Sequence, residues 1–378
     1  MRAEPYTINV DERVLADLRA RIRNTRWPDE IPGIDWKQGT SLAYLRPLLA
    51  YWADGFDWRA REAELNAFPQ FRAEVDGVWI HFAHLQSSRP TGIPLILTHG
   101  WPSSFIELLR LAPYLSERFD LVIPSLPGYG FSERPLRTGV NYRYVARLWH
   151  RLMNGLGYPR YGAVGGDFGA GVATYMALDA PARMLGIYLY TPELAPCLGP
   201  GSPPLSDAEQ TYLAESERWS AVERGYSAIQ STKPQTVGYG LNDSPAGLAA
   251  WILEKWRSWT DSAGDLDAHL GRDFLLTMLT IYWATGSITT SMRDYYDNRW
   301  HREPLGPGDF IRVPTAFAVC ARHYVSEGDP PREWLQRLYD IRHWTVMPCG
   351  GHFAPAEEPE LVGRDIAEFF AGRMSQGS

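Results

Sequence analysis

Asp167 sits in a run of small residues, Gly165-Gly166-Asp167-Phe168-Gly169-Ala170. An apolar stretch from Tyr161 leads in, and a helical pattern of Val172, Tyr175, Met176 and Leu178 leads out. A strand that turns sharply into a helix, with one reactive side chain at its tip, needs such neighbours. The turn is strained, and the helix packs close behind it. Hydrolases of this design often place serine at the tip; here it is a carboxylate. A carboxylate is ionised at neutral pH and can displace a leaving group from saturated carbon to give an ester. The plainer alternative is a glycine-rich turn whose acid caps the following helix. His352, in Gly350-Gly351-His352-Phe353 near the end of the chain, is the candidate base, in the chain order that such hydrolases follow. Two backbone N–H groups are expected to hold a developing oxyanion. One belongs to Phe168, the residue after the nucleophile, and the other to Trp101 in the loop His99-Gly100-Trp101-Pro102.

These residues need elements to position them. Apolar runs at 94–98, 119–124, 161–164 and 185–190 alternate with helical patterns at 103–111 and 142–156, which predicts a parallel sheet with helices on both faces. Before it, residues 8–25, 41–51 and 58–67 read as helices, and 71–75 with 78–82 as a hairpin turning at Asp76-Gly77. After Pro192 the strands stop. Helical patterns at 207–224, 244–259 and 274–298 follow, and the alternation resumes with strands at 312–320 and 343–347 and helices at 331–338 and 358–370. The expected organisation is an N-terminal helical region and lead-in hairpin (1–90), a first core half (91–195), a helical lid (196–305) and a second core half (306–378). A helical insertion between two halves of such a sheet reads as a lid over the carboxyl edge, where open α/β sheets bind ligands.

Composition bounds the partners. The 378 residues carry a net charge of −7, which leaves no basic stripe for nucleic acid. The three cysteines, Cys197, Cys320 and Cys349, are far apart and odd in number, so no disulfide framework is expected. No apolar run is long enough to span a membrane and no signal peptide is evident, so a cytoplasmic location is expected. The chemistry calls for no cofactor and no metal. The glycine-rich stretch lacks the G-x-G-x-x-G spacing of a dinucleotide site.

Taken together, the chain resembles the microsomal-type epoxide hydrolase family over nearly its whole length. The resemblance rests on Arg26-Trp27-Pro28, His99-Gly100-Trp101-Pro102, Gly165–Gly169, the stretch from Gly225 to Pro234, Ile281–Gly286 with Arg293-Asp294-Tyr295, and Gly351-His352-Phe353. It implies an α/β-hydrolase core, a small-molecule epoxide as substrate, a vicinal diol as product and a homodimer as the assembly to consider. It also implies that Tyr226 and Tyr295 hold and protonate the epoxide oxygen. The family's acid, which orients the histidine, falls on no carboxylate by simple counting, since His323 or Ser326 takes its place. Glu327 is preferred, with Asp329 and Glu193 as alternatives. Many tryptophans in and near the lid suggest a bulky or aromatic epoxide, such as a secondary-metabolite intermediate. The rival readings are a haloalkane dehalogenase-type hydrolase and a slow or non-catalytic binding protein. The first would want halide-binding N–H donors; Trp101 offers one, but the Phe168 side chain offers none.

Overall fold

Short runs of Ile, Leu and Val with both faces covered make strands without polar alternation, and such runs form the centre of the sheet. The computed structural model describes residues 1–89, 92–320 and 330–372. Its strands are β1 (Ala3–Pro5), β2 (Gln70–Val75), β3 (Val78–Leu85), β4 (Ile93–Thr98), β5 (Phe119–Pro124), β6 (Tyr161–Gly166), β7 (Met184–Thr191), β8 (Ile311–Cys320) and β9 (Tyr339–Met347). Among the described residues they form one sheet in the order β1-β2-β3-β5-β4-β6-β7-β8-β9. The first three strands and the β3–β5 pair are antiparallel, and β5-β4-β6-β7-β8-β9 run parallel. The hairpin turns at Asp76 (φ 58°) and Gly77 (φ 77°), as the Asp-Gly pair predicts.

From β4 the chain winds outward to β5, then returns to β6 on the other side of β4. The strand order therefore reverses between β4 and β6, and a crevice opens at their carboxyl ends. Thr98 pairs with Gly165 at that end, so the loops that carry Trp101 and Asp167 leave the sheet side by side.

The helix Phe168–Asp179 lies directly behind. It is buried from Phe168 through Ala177, and its small residues permit close approach to the sheet. A Cβ on Gly169 would lie 2.0 Å from the Thr98 carbonyl oxygen, and one on Gly165 would lie 2.4 Å from the Gly169 backbone. Only hydrogen atoms fit at these two positions.

Between β7 and β8 lie helices at Asp207–Glu223, Gly225–Gln230, Pro234–Asp243, Pro245–Trp259, Leu266–Leu270, Arg272–Thr285 and Ile288–Trp300. The single helix expected over 274–298 is in fact two. Gly286 adopts the left-handed conformation (φ 59°), and its N–H donates to the Trp283 carbonyl, which ends the first helix. The apolar period persists on both sides of the break, which is why the pattern alone reads through it. The predicted helix at 103–111 is likewise shorter, spanning Phe105–Leu109, with a further turn at Ala112–Leu115.

The N-terminal helices Glu12–Arg23, Leu42–Asp54 and Trp58–Asn66 pack against these inserted helices. The Trp52 indole donates to Thr280 Oγ1 (2.9 Å), and the Tyr44 and Tyr51 hydroxyls donate to Asp267 and Asp273 (both 2.8 Å). The inserted helices are pinned to the sheet's carboxyl edge in turn. Tyr282 donates to the Ser103 carbonyl (2.8 Å), and the Trp256 indole donates to that of Pro102 (3.0 Å). Among the described residues no helix is long and apolar enough to cross a membrane.

Candidate active site

Asp167 occupies a backbone conformation that non-glycine residues rarely adopt, φ 51° and ψ −128°. Strain of this kind persists only where the surroundings enforce it. Here the Asp167 N–H donates to the Thr191 carbonyl (3.0 Å), and the helix behind is locked to the sheet by Gly169 and Gly165. The side chain is thereby aimed into the crevice. Its Oδ1 accepts hydrogen bonds from the backbone N–H groups of Trp101 (2.9 Å) and Phe168 (2.7 Å), and its Oδ2 lies 3.6 Å from His352 Nε2. The two donors expected from the sequence thus meet one oxygen of the expected nucleophile, and the expected base meets the other.

His352 arrives on a tightly held loop. Its N–H donates to the Trp259 carbonyl (2.8 Å). The glycine before it serves close packing: a Cβ on Gly351 would lie 2.5 Å from the Trp259 oxygen. The buried Glu357 ties this loop to the inserted helices. It accepts from the Phe353 N–H (3.0 Å) and the Asp261 N–H (2.7 Å), and sits 3.2 Å from His269 Nε2.

Above the carboxylate the walls are aromatic. The Trp101 ring lies parallel to Tyr226 (centroids 5.5 Å apart, 8° between planes) and edge-on to Tyr295 (5.6 Å). Phe168 meets Tyr295 at 4.9 Å, and the two tyrosine rings are 5.9 Å apart. Burial raises both phenols above the ordinary tyrosine range, and the charge of Asp167 pushes in the same direction, so both carry their protons at neutral pH. The Lys255 ammonium sits over the Tyr226 ring at 4.6 Å, a cation–π contact that braces that ring from behind.

The structure therefore brings together Asp167, His352, Trp101, Phe168, Tyr226 and Tyr295. Glu327 and Asp329 lie outside the described residues. Glu193 accepts a hydrogen bond from the Tyr142 hydroxyl (2.9 Å), whose ring packs on Phe168. Sequence reasoning missed Trp259, Tyr190, Glu357 and Glu107. The last had a signal: it is the one charged residue in the otherwise apolar helix Phe105–Leu109. Among the described residues no cluster of histidine, cysteine or carboxylate side chains could hold a metal.

The chain is similar to known proteins over nearly its whole length. The profile of the epoxide hydrolase N terminus matches residues 3–108, and that of the alpha/beta hydrolase fold matches 93–233. The chain is 40% identical to a putative epoxide hydrolase of Stigmatella aurantiaca, over 97% of this chain and 84% of that one. It is 35% identical to epoxide hydrolase 1 of Oryctolagus cuniculus, over 97% and 88%. Among solved structures, juvenile hormone epoxide hydrolase from Bombyx mori superposes with a TM-score of 0.85 at 31% identity, covering 100% of this chain and 95% of that one. The epoxide hydrolase of Aspergillus niger does so with 0.85 at 30% identity, over 98% and 97%. With an alpha/beta hydrolase sheet, an aspartate at its elbow and relatives of this kind along nearly its full length, the chain belongs to the epoxide hydrolase family.

Proposed function

We propose that this epoxide hydrolase works through a covalent ester on Asp167. The observation that carries the reading is the division of labour between the two carboxylate oxygens: Oδ1 is held by two N–H donors, while Oδ2 faces His352. In the first step Oδ2 attacks a ring carbon and the carbon–oxygen bond of the epoxide breaks. The departing oxygen takes a proton from Tyr226 or Tyr295, which spares it from leaving as an alkoxide. In the second step water gives a proton to His352 Nε2 and adds to Cγ of Asp167, and the negative charge falls on Oδ1 between the N–H groups of Trp101 and Phe168. Collapse breaks the bond from Cγ to Oδ2, and the diol leaves with the imidazolium proton. The new carboxylic acid returns its proton to the phenolate. The water oxygen thus ends in Asp167, and the Asp167 oxygen ends in the diol.

The inserted helices act as a lid that brings both tyrosines over the carboxylate. Its aromatic walls favour a bulky or aromatic epoxide. Glu327 is assigned as the acid that orients His352, on chain order alone. The separated cysteines support a cytoplasmic location.

A covalent trap tests the scheme. The His352→Ala variant, mixed with styrene oxide, stilbene oxides and long-chain aliphatic epoxides, should retain an added substrate mass on the Asp167 peptide. Wild-type protein in a single turnover in 18O-labelled water should place the label in that peptide and not in the diol. Diol formed by wild type with neither adduct nor labelled peptide would refute the ester.

A further inference from the structure

Behind the elbow lies a buried carboxyl group that the scheme above does not use. Glu107 is 2% exposed, on the short helix that follows the Trp101 loop. Burying a carboxyl group is costly unless polar partners receive it, and the surroundings of Glu107 are otherwise apolar: Ile106, Leu108 and Leu109 share its helix and are buried as well. Its partners are few and specific. The hydroxyls of Ser103 and Tyr190 lie within hydrogen-bonding reach of the carboxyl, and Asp167 and Glu357 are the nearby acids. Tyr190 is itself lodged against the elbow, since a Cβ on Gly166 would lie 2.1 Å from its ring.

Glu107 also borders a cavity. Gly100, Trp101, Ser103, Gly166, Asp167, Tyr190, His352 and Phe353 complete its walls, and its volume is about 10 Å³. That is the room one water molecule occupies, and the walls supply the polar partners a buried water requires. The same small space therefore touches the nucleophile, the base and a buried carboxyl group.

We propose that Glu107 holds the hydrolytic water for the second step. A water that attacks Cγ of Asp167 must direct a lone pair at that carbon and one O–H at His352 Nε2. Its other O–H then needs an acceptor on the far side, and the Glu107 carboxyl oxygen provides it. Desolvation pushes Glu107 up to about 8, with the charge of Asp167 adding to the effect, so the group is largely neutral in the resting enzyme. A neutral carboxyl still accepts through its carbonyl oxygen, and it adds no second negative charge beside Asp167. Esterification removes the Asp167 charge and with it that part of the push, which makes Glu107 the stronger acceptor in the step that uses water. Glu107 loses and gains no proton overall; its work is orientation.

The inference rests on the ester scheme, and rapid-quench mass spectrometry on the Asp167 peptide separates the two. With an epoxide that wild type converts, Glu107→Leu should form the ester within about threefold of the wild-type rate. It should hydrolyse that ester on the order of 10²-fold more slowly, the cost of a misplaced reactant, so that ester accumulates. Glu107→Gln, which keeps a carbonyl acceptor of the same size, should restore most of the hydrolysis rate. Tyr190→Phe, a milder change should the leucine variant not fold, should slow hydrolysis selectively too. Equal slowing of both steps, or no change in either, would overturn the assignment. His352→Ala is the control: if it accumulates ester and the Glu107 and Tyr190 variants do not, Glu107 alone is wrong. If none does, including His352→Ala, the ester scheme falls, and this inference with it.

Discussion

Gly100 and Asp167 compete for one space: a Cβ on Gly100 would stand 2.4 Å from Asp167 Oδ1 and 2.5 Å from its Cβ. The glycine is what lets the next residue, Trp101, bring its N–H to 2.9 Å from that same oxygen. Elbow and donor loop are thus fitted to each other across the switch point of the sheet, from 66 residues apart in sequence.

Gly100→Ala should therefore damage chemistry more than folding. The added methyl group must push the carboxylate or the loop aside, which typically costs about 1–3 kcal/mol in stability. A displacement on the order of 1 Å at the reacting atoms is enough for a roughly 10²-fold loss of kcat/KM. Thermal unfolding together with diol formation checks this; a variant with wild-type turnover would show that Oδ1 need not be held.

Tyr226→Phe and Tyr295→Phe should each slow ester formation by on the order of 10²-fold, the lower end of what a placed acid contributes. The double variant should show no measurable ester. Hydrolysis of ester already formed should change little in the single variants, since neither hydroxyl takes part in the attack of water. Rapid-quench measurement of the two steps decides it, and slowing confined to hydrolysis would remove the tyrosines from the acid role.

Glu357→Gln should loosen the loop that carries His352. The carboxylate receives the N–H groups of Phe353 and Asp261, and an amide would turn a donor toward one of them. Leaving such a donor unmet costs about 1–3 kcal/mol, and ester hydrolysis should slow while ester formation is kept. His269 shares this carboxylate, and its hydrogen bond to Glu357 raises its pKa. A raised histidine stabilises the fold in full below its ordinary value and loses that contribution as pH rises through the raised one. The variant should erase this component from stability measured against pH.

Two buried histidines act with the opposite sign. Burial holds His81 down to about 3 and His99 to about 4. His99 has no place for a second proton, because its Nε2 accepts from the Leu126 N–H (3.2 Å) while Nδ1 faces the Gly100 carbonyl (3.1 Å). A group depressed on folding contributes stability above its unfolded value, near 6.5, and loses it as pH falls. Unfolding free energy should accordingly decline from about pH 6.5 toward pH 4, and His99→Gln should flatten that slope even though it lowers stability throughout. Denaturant titrations at stepped pH check this, and an unchanged slope would place the acid sensitivity elsewhere.

The sequence by itself determined what depends on neighbours along the chain. Gly165 to Ala170 specify a sharp strand-to-helix turn, because only small residues permit it. The apolar runs specify buried parallel strands, and Asp76-Gly77 specifies a hairpin. The chain order of Asp167 and His352, with Tyr226 and Tyr295 supplied by family resemblance, was enough to nominate residues that the fold brings into one crevice. Gly286 carried its signal too, but a persistent helical period hid it.

Only the tertiary structure decided what depends on neighbours through space. Twelve tyrosines of the described residues lie on helices, and packing alone sets two of them beside Trp101 and Phe168. Glu107 shows in the sequence only as the one charged residue of a short apolar helix, and its burial beside Gly166 and Tyr190 is decided by the fold. Desolvation there pushes its pKa up, and a water-sized cavity borders it. Burial is a property of the assembled fold, and so is the chemistry that burial creates.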